Sequence, residues 1–288
     1  MSKIALVTDS ASDIPAELEK QYGIDIMPFL ITVDGKSYTE REDFTNEEYY
    51  DMLAHCETIP KTSQITMMRF EEKFAEYAQK GFDELIYVAI NSEGSNTYNA
   101  ACMAKQSFKD ENPDSKMNIY IVDSHSYSMT YGWAVCEAAR KIAAGADAKS
   151  IVEYLNDHFA RVEVALSMYT LKFVKKSGRV SAAAAFAGEL LGLRPIITII
   201  DGVTATASKV RGDVNVMPSL ITHVKKRIAD GSGYLVASTN VENGKMLAKL
   251  CKKEFGKEPE CVFLLGAAVA TNTGPDAVAI IFEGAARR

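Results

Sequence analysis

Through the first half of the chain, short apolar runs end in polar loops, and each loop opens into a stretch of period near 3.6. Ile4 to Thr8 reads as a buried strand, followed by the loop Asp9-Ser10-Ala11-Ser12-Asp13 and a helix entered through Ile14-Pro15. Ile24 to Val33 reads as a second strand interrupted at Pro28, closed by the turn Asp34-Gly35. A helix over Asn46 to Cys56 comes next, and Met67, Met68, Phe70, Phe74, Tyr77 and Ala78 mark another. Leu85 to Ile90 and Ile119 to Val122 are further buried strands. The first discharges into Asn91 to Tyr98 ahead of a helix, the second into Asp123-Ser124-His125-Ser126 ahead of helices over 128–144 and 147–160.

From about residue 161 the texture changes. Val162 to Met168 alternates loosely, Lys172 to Arg179 is basic, and Ser181 to Leu193 is rich in Ala and Gly. Asp201-Gly202 between Arg194–Ile200 and Val203–Ala207 is a hairpin signal. Helices over 218–230 and 243–255 and strands over 234–238, 261–265 and 277–282 complete this half, with Thr271-Asn272-Thr273-Gly274-Pro275 expected as a polar turn. The pattern predicts an α/β protein of two domains. Residues 1–160 form a mostly parallel α/β/α sandwich, and 161–288 an α/β domain with a mixed sheet.

In a parallel sheet with crossover helices, ligands collect beyond the carboxyl ends of the strands. The loops at Asp9-Ser10, Ser92 to Thr97 and Asp123-Ser124 should therefore share one rim. Lys61-Thr62-Ser63-Gln64-Ile65-Thr66 packs three hydroxyls just before a helical pattern. Two readings stand for it: a helix N-cap, or a seat for a carboxylate or phosphate at the positive end of the helix dipole.

Composition narrows the ligand. A net charge of −6 and a pI near 5.4 disfavour nucleic acid and anionic membrane surfaces, which need clustered Lys and Arg. The five cysteines (Cys56, Cys102, Cys136, Cys251, Cys261) include no CxxC pair or Cys/His cluster, so no metal site is expected, and reduced thiols in a cytoplasmic protein are. The apolar run at the N-terminus is too short for a signal peptide, and no run approaches the roughly 20 residues of a transmembrane helix.

GxSxG, HExxH, GxxxxGK[ST] and GxGxxG are all absent. His55, His158 and His223 fall in helical patterns. His125 follows Asp123-Ser124, but adjacent residues on one loop rarely supply a triad's geometry. Hydroxyl and amide loops with no evident nucleophile describe a binding site, and a fatty carboxylate suits one. Hydroxyl and amide donors to a carboxylate contribute about 1.5–3 kcal/mol each, and each buried methylene about 0.8 kcal/mol. The small residues Ala182 to Gly188 and Gly266 to Ala270 either leave room for an acyl tail or let a helix sit close on a sheet. An alternative is an enzyme acting on a small acyl or phosphorylated carboxylate, with Asp9, Asp123 and His125 in acid/base roles.

Taken in order, Val7-Thr8-Asp9-Ser10, Lys61-Thr62-Ser63-Gln64, the Ser92 to Tyr98 loop, Val122-Asp123-Ser124, Lys176-Ser177-Gly178-Arg179-Val180-Ser181, Arg194-Pro195-Ile196, Lys209-Val210-Arg211-Gly212 and Thr273-Gly274-Pro275 resemble the DegV family along the whole chain. The resemblance implies a bacterial carrier, not an enzyme, that needs no cofactor. It would hold a long-chain fatty acid (C16 to C18) between its two domains. It would present the carboxylate to a partner fatty acid kinase, whose acyl phosphate product feeds phospholipid synthesis. On the matching positions, Thr62 and Ser95 would bind the carboxylate, with Ser63, Asn96 and Thr97 in support, and Arg179 and Arg211 would dock the kinase. Three positions depart from the family pattern. Ile65 stands where the family carries proline, which should free the backbone before the helix. Asn96 replaces a glycine and should place its side chain at the mouth of the site. Asn272 replaces a histidine and removes any imidazolium near the carboxylate.

Overall fold

The computed structural model describes residues 2–179 and 192–285. The Ala- and Gly-rich stretch proposed above to admit a tail, Ala182 to Gly188, lies outside the described residues, as do Val180 and Ser181. The fold is mixed α/β, and the chain divides into two compact units. The first comprises Met1–Leu30, Thr39–Arg41 and Thr62–Ala160, and the second Ile31–Tyr38, Glu42–Lys61 and Arg161–Arg288. This division differs from a single cut at residue 160, because most of 31–61 groups with the C-terminal half.

The first unit is built on a parallel sheet of order β2-β1-β6-β7: β1 (Ile4–Asp9), β2 (Asp25–Met27), β6 (Glu84–Ala89) and β7 (Asn118–Asp123). Apart from a less buried first residue, β1 and β6 are buried end to end, as strands covered on both faces must be. The expected strand over Ile24 to Val33 is instead two, β2 and β3 (Leu30–Val33). The Pro28-Phe29 break separates them and sends them to different sheets. Helix α1 (Ala16–Tyr22) begins after Pro15 and ends at Gly23, whose φ of 64° needs no Cβ. Helix α3 (Met67–Gln79) buries Phe70 and Phe74, each worth about 1.5–3 kcal/mol of apolar burial. Phe70 meets the Tyr87 ring edge-on at 4.8 Å, which ties α3 to β6. Helices α4 (Thr97–Glu111), α5 (Met129–Ala143) and α6 (Ala148–Phe159) follow β6 and β7 as crossover and covering helices.

In the second unit, β3 and β4 (Lys36–Thr39) form a hairpin whose turn residues, Asp34 and Gly35, both have positive φ. The short strand β5 (Lys61–Ser63) begins at Lys61, and its Thr62 and Ser63 fall in the first unit. Helix α2 (Asn46–His55) opens on a capping box of Thr45 and Glu48 and packs Tyr49 and Leu53 into a core with Ile31, Phe44, Phe173 and Ala270. The main sheet has the order β10-β9-β8-β13-β11-β12: β8 (Val162–Met168), β9 (Leu193–Ile200), β10 (Val203–Arg211), β11 (Tyr234–Ser238), β12 (Cys261–Leu264) and β13 (Ala277–Glu283). It is mixed, with β11–β12 parallel and the other pairs antiparallel. Helices α7 (Lys172–Ser177), α8 (Val216–Lys225), α9 (Val241–Phe255) and α10 (Ala267–Thr273) complete the described elements.

The turn expected at Thr271 to Pro275 is instead the end of α10. Thr271, Asn272 and Thr273 hydrogen-bond back to the carbonyls of Ala267, Ala268 and Val269, so side chains that usually favour turns are spent inside the helix. Gly274 then stops it.

One glycine sets how closely α5 approaches the end of β1. A Cβ on Gly132 would lie 2.3 Å from the backbone oxygen of Ser12, in the 3-10 turn Ser10–Ser12. The neighbour is backbone and cannot swing aside. Gly132→Ala is therefore expected to destabilise the protein by about 1–3 kcal/mol, read as a lowered urea midpoint at unchanged m-value. An unaltered midpoint would mean that α5 is free to retreat.

Candidate functional site

The hydroxyl loops meet in the first unit. Thr97 opens α4 and is fully buried; its Oγ1 lies 2.9 Å from Ser95 Oγ and accepts a hydrogen bond from the Ile65 N–H at 3.3 Å. Ser95 Oγ in turn accepts the Thr97 N–H at 3.3 Å. Residues from the stretch before α3 and the loop before α4 are thus joined through two hydroxyls.

Proton counting shows what this arrangement offers. A hydroxyl has one hydrogen and two lone pairs. If Ser95 donated to Thr97, the buried Thr97 proton would lack an acceptor, at a cost of about 1–3 kcal/mol. Thr97 therefore donates to Ser95. Both lone pairs of Ser95 are then filled, and its own hydrogen is left for an outside acceptor, on a half-buried residue at the start of α4. The positive end of that 15-residue helix favours an anion at the same place. Thr62 is half-buried and Ser63 exposed, and neither hydroxyl is spent on a protein partner among the described residues. Of the two readings for Thr62 to Thr66, the N-cap is not used as a cap. Thr66 holds the N-cap position of α3, yet its side chain makes no capping hydrogen bond, while Thr62 and Ser63 belong to β5.

Each of the three departures has a defined place in the structure. Ile65 does not free the backbone: it is 5% exposed, and its N–H, which a proline would lack, is the one bonded to Thr97. Asn96 has φ −76° and needs no left-handed backbone. It is exposed, and its Oδ1 accepts from Asn99 Nδ2 at 2.9 Å, so the side chain lies along α4. Asn272 belongs to the second unit, and its amide donates to the Ala268 carbonyl at 2.8 Å within its own helix.

Arg179 follows α7, is exposed, and donates from Nη1 to the Ser177 carbonyl at 2.7 Å. Arg211 ends β10 and is exposed. Its neighbour in sequence, Asp213, pairs with Arg194 at 2.9 Å, and the Arg211 guanidinium makes no ion pair among the described residues.

The acid/base alternative fares poorly on geometry. Asp9, at the end of β1, is 0% exposed. Its Oδ1 accepts from Tyr131 Oη at 2.5 Å, and its Oδ2 from Tyr87 Oη at 2.9 Å and the Ile90 N–H at 3.0 Å. Burial pushes its carboxyl up to about 6 against those hydrogen bonds, and drives both tyrosines well above their ordinary values. Asp123 accepts the N–H groups of Ser92 at 3.2 Å and His125 at 2.9 Å through Oδ1, and its Oδ2 lies 3.4 Å from His125 Nδ1. These groups hold loops in place. Sequence reasoning missed Tyr87 and Tyr131, and also Glu40, which is buried and receives the Ser10 hydroxyl. An isolated Tyr in an apolar run carries no mark of the carboxylate it will face.

Among the described residues there is no group of His, Cys, Asp and Glu able to hold a metal, and no helix is long and apolar enough to cross a membrane.

A parallel sheet with hydroxyl-bearing loops at its carboxyl ends and a second unit built on a mixed sheet define a two-unit α/β protein. The chain belongs to the DegV family: the family model described as "Uncharacterised protein, DegV family" matches residues 3–285. A DegV domain-containing protein of Caldanaerobacter subterraneus subsp. tengcongensis is 31% identical over 98% of this chain and 99% of its own. Two solved structures are similar throughout. A fatty acid binding DegV family protein from Streptococcus agalactiae is 25% identical, with a TM-score of 0.88 over 99% of this chain and 100% of that one. A DegV family protein from Thermus thermophilus, described for its fatty acid binding, is also 25% identical, with a TM-score of 0.86 over 98% of this chain and 100% of that one.

Because burial raises the Asp9 carboxyl from 3.8 to about 6, the folded state holds that proton more tightly than the unfolded state. Its contribution is fully present below pH 3.8 and is lost as pH rises through 6. The unfolding free energy of the protein relative to Asp9→Asn should therefore fall between pH 4 and pH 7 by on the order of 3 kcal/mol, measured by urea denaturation. A difference that is flat with pH would contradict the raised value.

Proposed function

We propose that this protein binds a long-chain fatty acid of C16 to C18 and presents its carboxylate to a separate kinase, without turning it over itself. The observation that carries the reading is the Ser95 hydroxyl, whose lone pairs are filled by Thr97 and whose hydrogen remains available at the start of α4. Thr62 supplies a second donor. A carboxylate accepts both, while an acyl chain supplies the larger share of affinity at about 0.8 kcal/mol per buried methylene. The fatty acid binding described for the two similar DegV structures supports the same ligand class.

Presentation to a kinase is supported by the free guanidinium of Arg211 and by the exposed Arg179, since an arginine suits an acidic partner or nucleotide phosphates. Such a kinase would make the acyl phosphate used in bacterial phospholipid synthesis. The carrier role needs no cofactor. A cytoplasmic setting accords with cysteines that form no disulfide. The commitment of Asp9 and Asp123 to structural hydrogen bonds argues against independent catalysis.

Mass spectrometry of a denatured extract of the protein purified from a bacterial host should find about one C16 or C18 fatty acid per chain; a lipid-free protein that also fails to take up palmitate would sink the reading. In a titration with palmitate, Thr62→Ala combined with Ser95→Ala should weaken binding by about 3–6 kcal/mol, the worth of two charge-assisted hydrogen bonds. Wild-type affinity in that double variant would remove both residues from the site.

A further inference from the structure

The Ser95 hydroxyl is held by a loop that has little structure of its own. Between the end of β6 and the start of α4 the chain runs seven residues, Ile90 to Asn96, and its course depends on where its first peptides point. Two bonds set them. The Ile90 N–H donates to Asp9 Oδ2 at 3.0 Å, and the Asn91 N–H donates to the Ser126 carbonyl at 2.9 Å. The Asn91 carbonyl then accepts the N–H groups of Gly94 and Ser95, both at 3.1 Å. From the Asp9 carboxylate to Ser95 there are thus two hydrogen bonds and one intervening pair of residues.

Asp9 is itself fixed by more than this loop. Tyr131 reaches it from α5 and Tyr87 from β6, and Tyr87 is braced by Phe70 from α3. The charged groups around it are few. Asp13, on the turn after β1, accepts from Ser128 at 2.5 Å, and Glu40 receives the hydroxyl of Ser10, the next residue along the chain. No cation is hydrogen-bonded to the carboxylate among the described residues; its partners are the two phenols and backbone amides. A buried carboxylate solvated only by donors is costly to keep, and the donors it collects are those that orient the loop.

We propose that Asp9 is the positioning residue of the ligand loop: by holding the Ile90 N–H it sets the direction from which Ser95 meets a carboxylate. The inference rests on the carboxylate-binding reading for its consequence and on the Asp9–Ile90–Asn91–Ser95 chain for its cause. Asp9 touches no ligand in this account and acts through Ile90.

The test compares Asp9→Ala with Asp9→Asn in the full chain. Alanine leaves the Ile90 N–H without an acceptor. Asparagine can aim its amide oxygen at Ile90 and Tyr87 while its NH₂ is accepted by the Tyr131 oxygen. Palmitate affinity is expected to fall about tenfold or more in Asp9→Ala and to recover in Asp9→Asn. Amide hydrogen exchange at Asn91 and Ser95 should quicken in the alanine variant beyond any change in β7. In a Ser95→Ala background, Asp9→Ala should weaken binding little further, because its effect passes through that hydroxyl. Should Asp9→Ala fail to fold, Asp9→Thr replaces it; threonine suits a strand, and its hydroxyl stops one atom short of Ile90. Wild-type affinity in a folded Asp9→Ala or Asp9→Thr, or costs that simply add to those of Ser95→Ala, would overturn the proposal. So would a uniform rise in exchange with no excess at Asn91 and Ser95. If the unmodified protein binds no fatty acid, the functional reading fails by itself, and the exchange comparison still decides the role of Asp9.

Discussion

A carboxylate with no access to water must be solvated by the protein, and at the end of β1 that requirement organises the first unit. Asp9 sits where a parallel sheet opens into its loops, and it takes donors from β6, α5 and the backbone that follows β6. Each donor belongs to a different element: Tyr87 to β6, Tyr131 to α5 and the Ile90 N–H to the loop after β6. Apolar contacts are non-directional and set distances, while hydrogen bonds to a charged acceptor set angles. The loop before α4 needs an angle, because its use depends on which way one hydroxyl points. Gly132 completes the arrangement by letting α5, and with it Tyr131, come close to the turn after β1.

The same economy of donors and acceptors explains the candidate site. Thr97 cannot leave its hydrogen unmet in the core, so it spends it on Ser95, and Ser95 is left as a donor. Ile65 contributes the N–H that fills a lone pair of Thr97. A proline at this position would have no N–H to give, so isoleucine here strengthens the link between the two loops. Asn96 and Asn272, by contrast, turn their amides to Asn99 and to a helical carbonyl.

Much of the fold can be read from the chain because parallel strands covered by helices must be apolar throughout. Ile4 to Thr8, Leu85 to Ile90 and Ile119 to Val122 are such runs, and each emerges as a strand within a residue or two of its predicted span. Asp201-Gly202 makes its hairpin for a local reason, since both residues take positive φ. Readings failed where side-chain chemistry competed with context. Thr271 to Thr273 carry turn-forming side chains, yet their hydroxyls and the Asn272 amide donate to carbonyls one helical turn back. Pro28 was legible as a break, but not the fact that the two halves of that strand enter different sheets.

The sequence by itself determined the α/β class, the parallel character of the first sheet, the loops at its carboxyl ends and the DegV family. All of these follow from local periodicity, turn chemistry and ordered motifs. Tertiary structure alone decided that Ile65 bonds Thr97 across 32 positions, that Ser95 keeps a free hydrogen, and that Tyr87 and Tyr131 converge on Asp9 from 78 and 122 positions away. The reason is physical. Periodicity reports which face of an element is buried, whereas a hydrogen bond between distant residues depends on register, crossing geometry and the last ångström of approach, which no local pattern encodes.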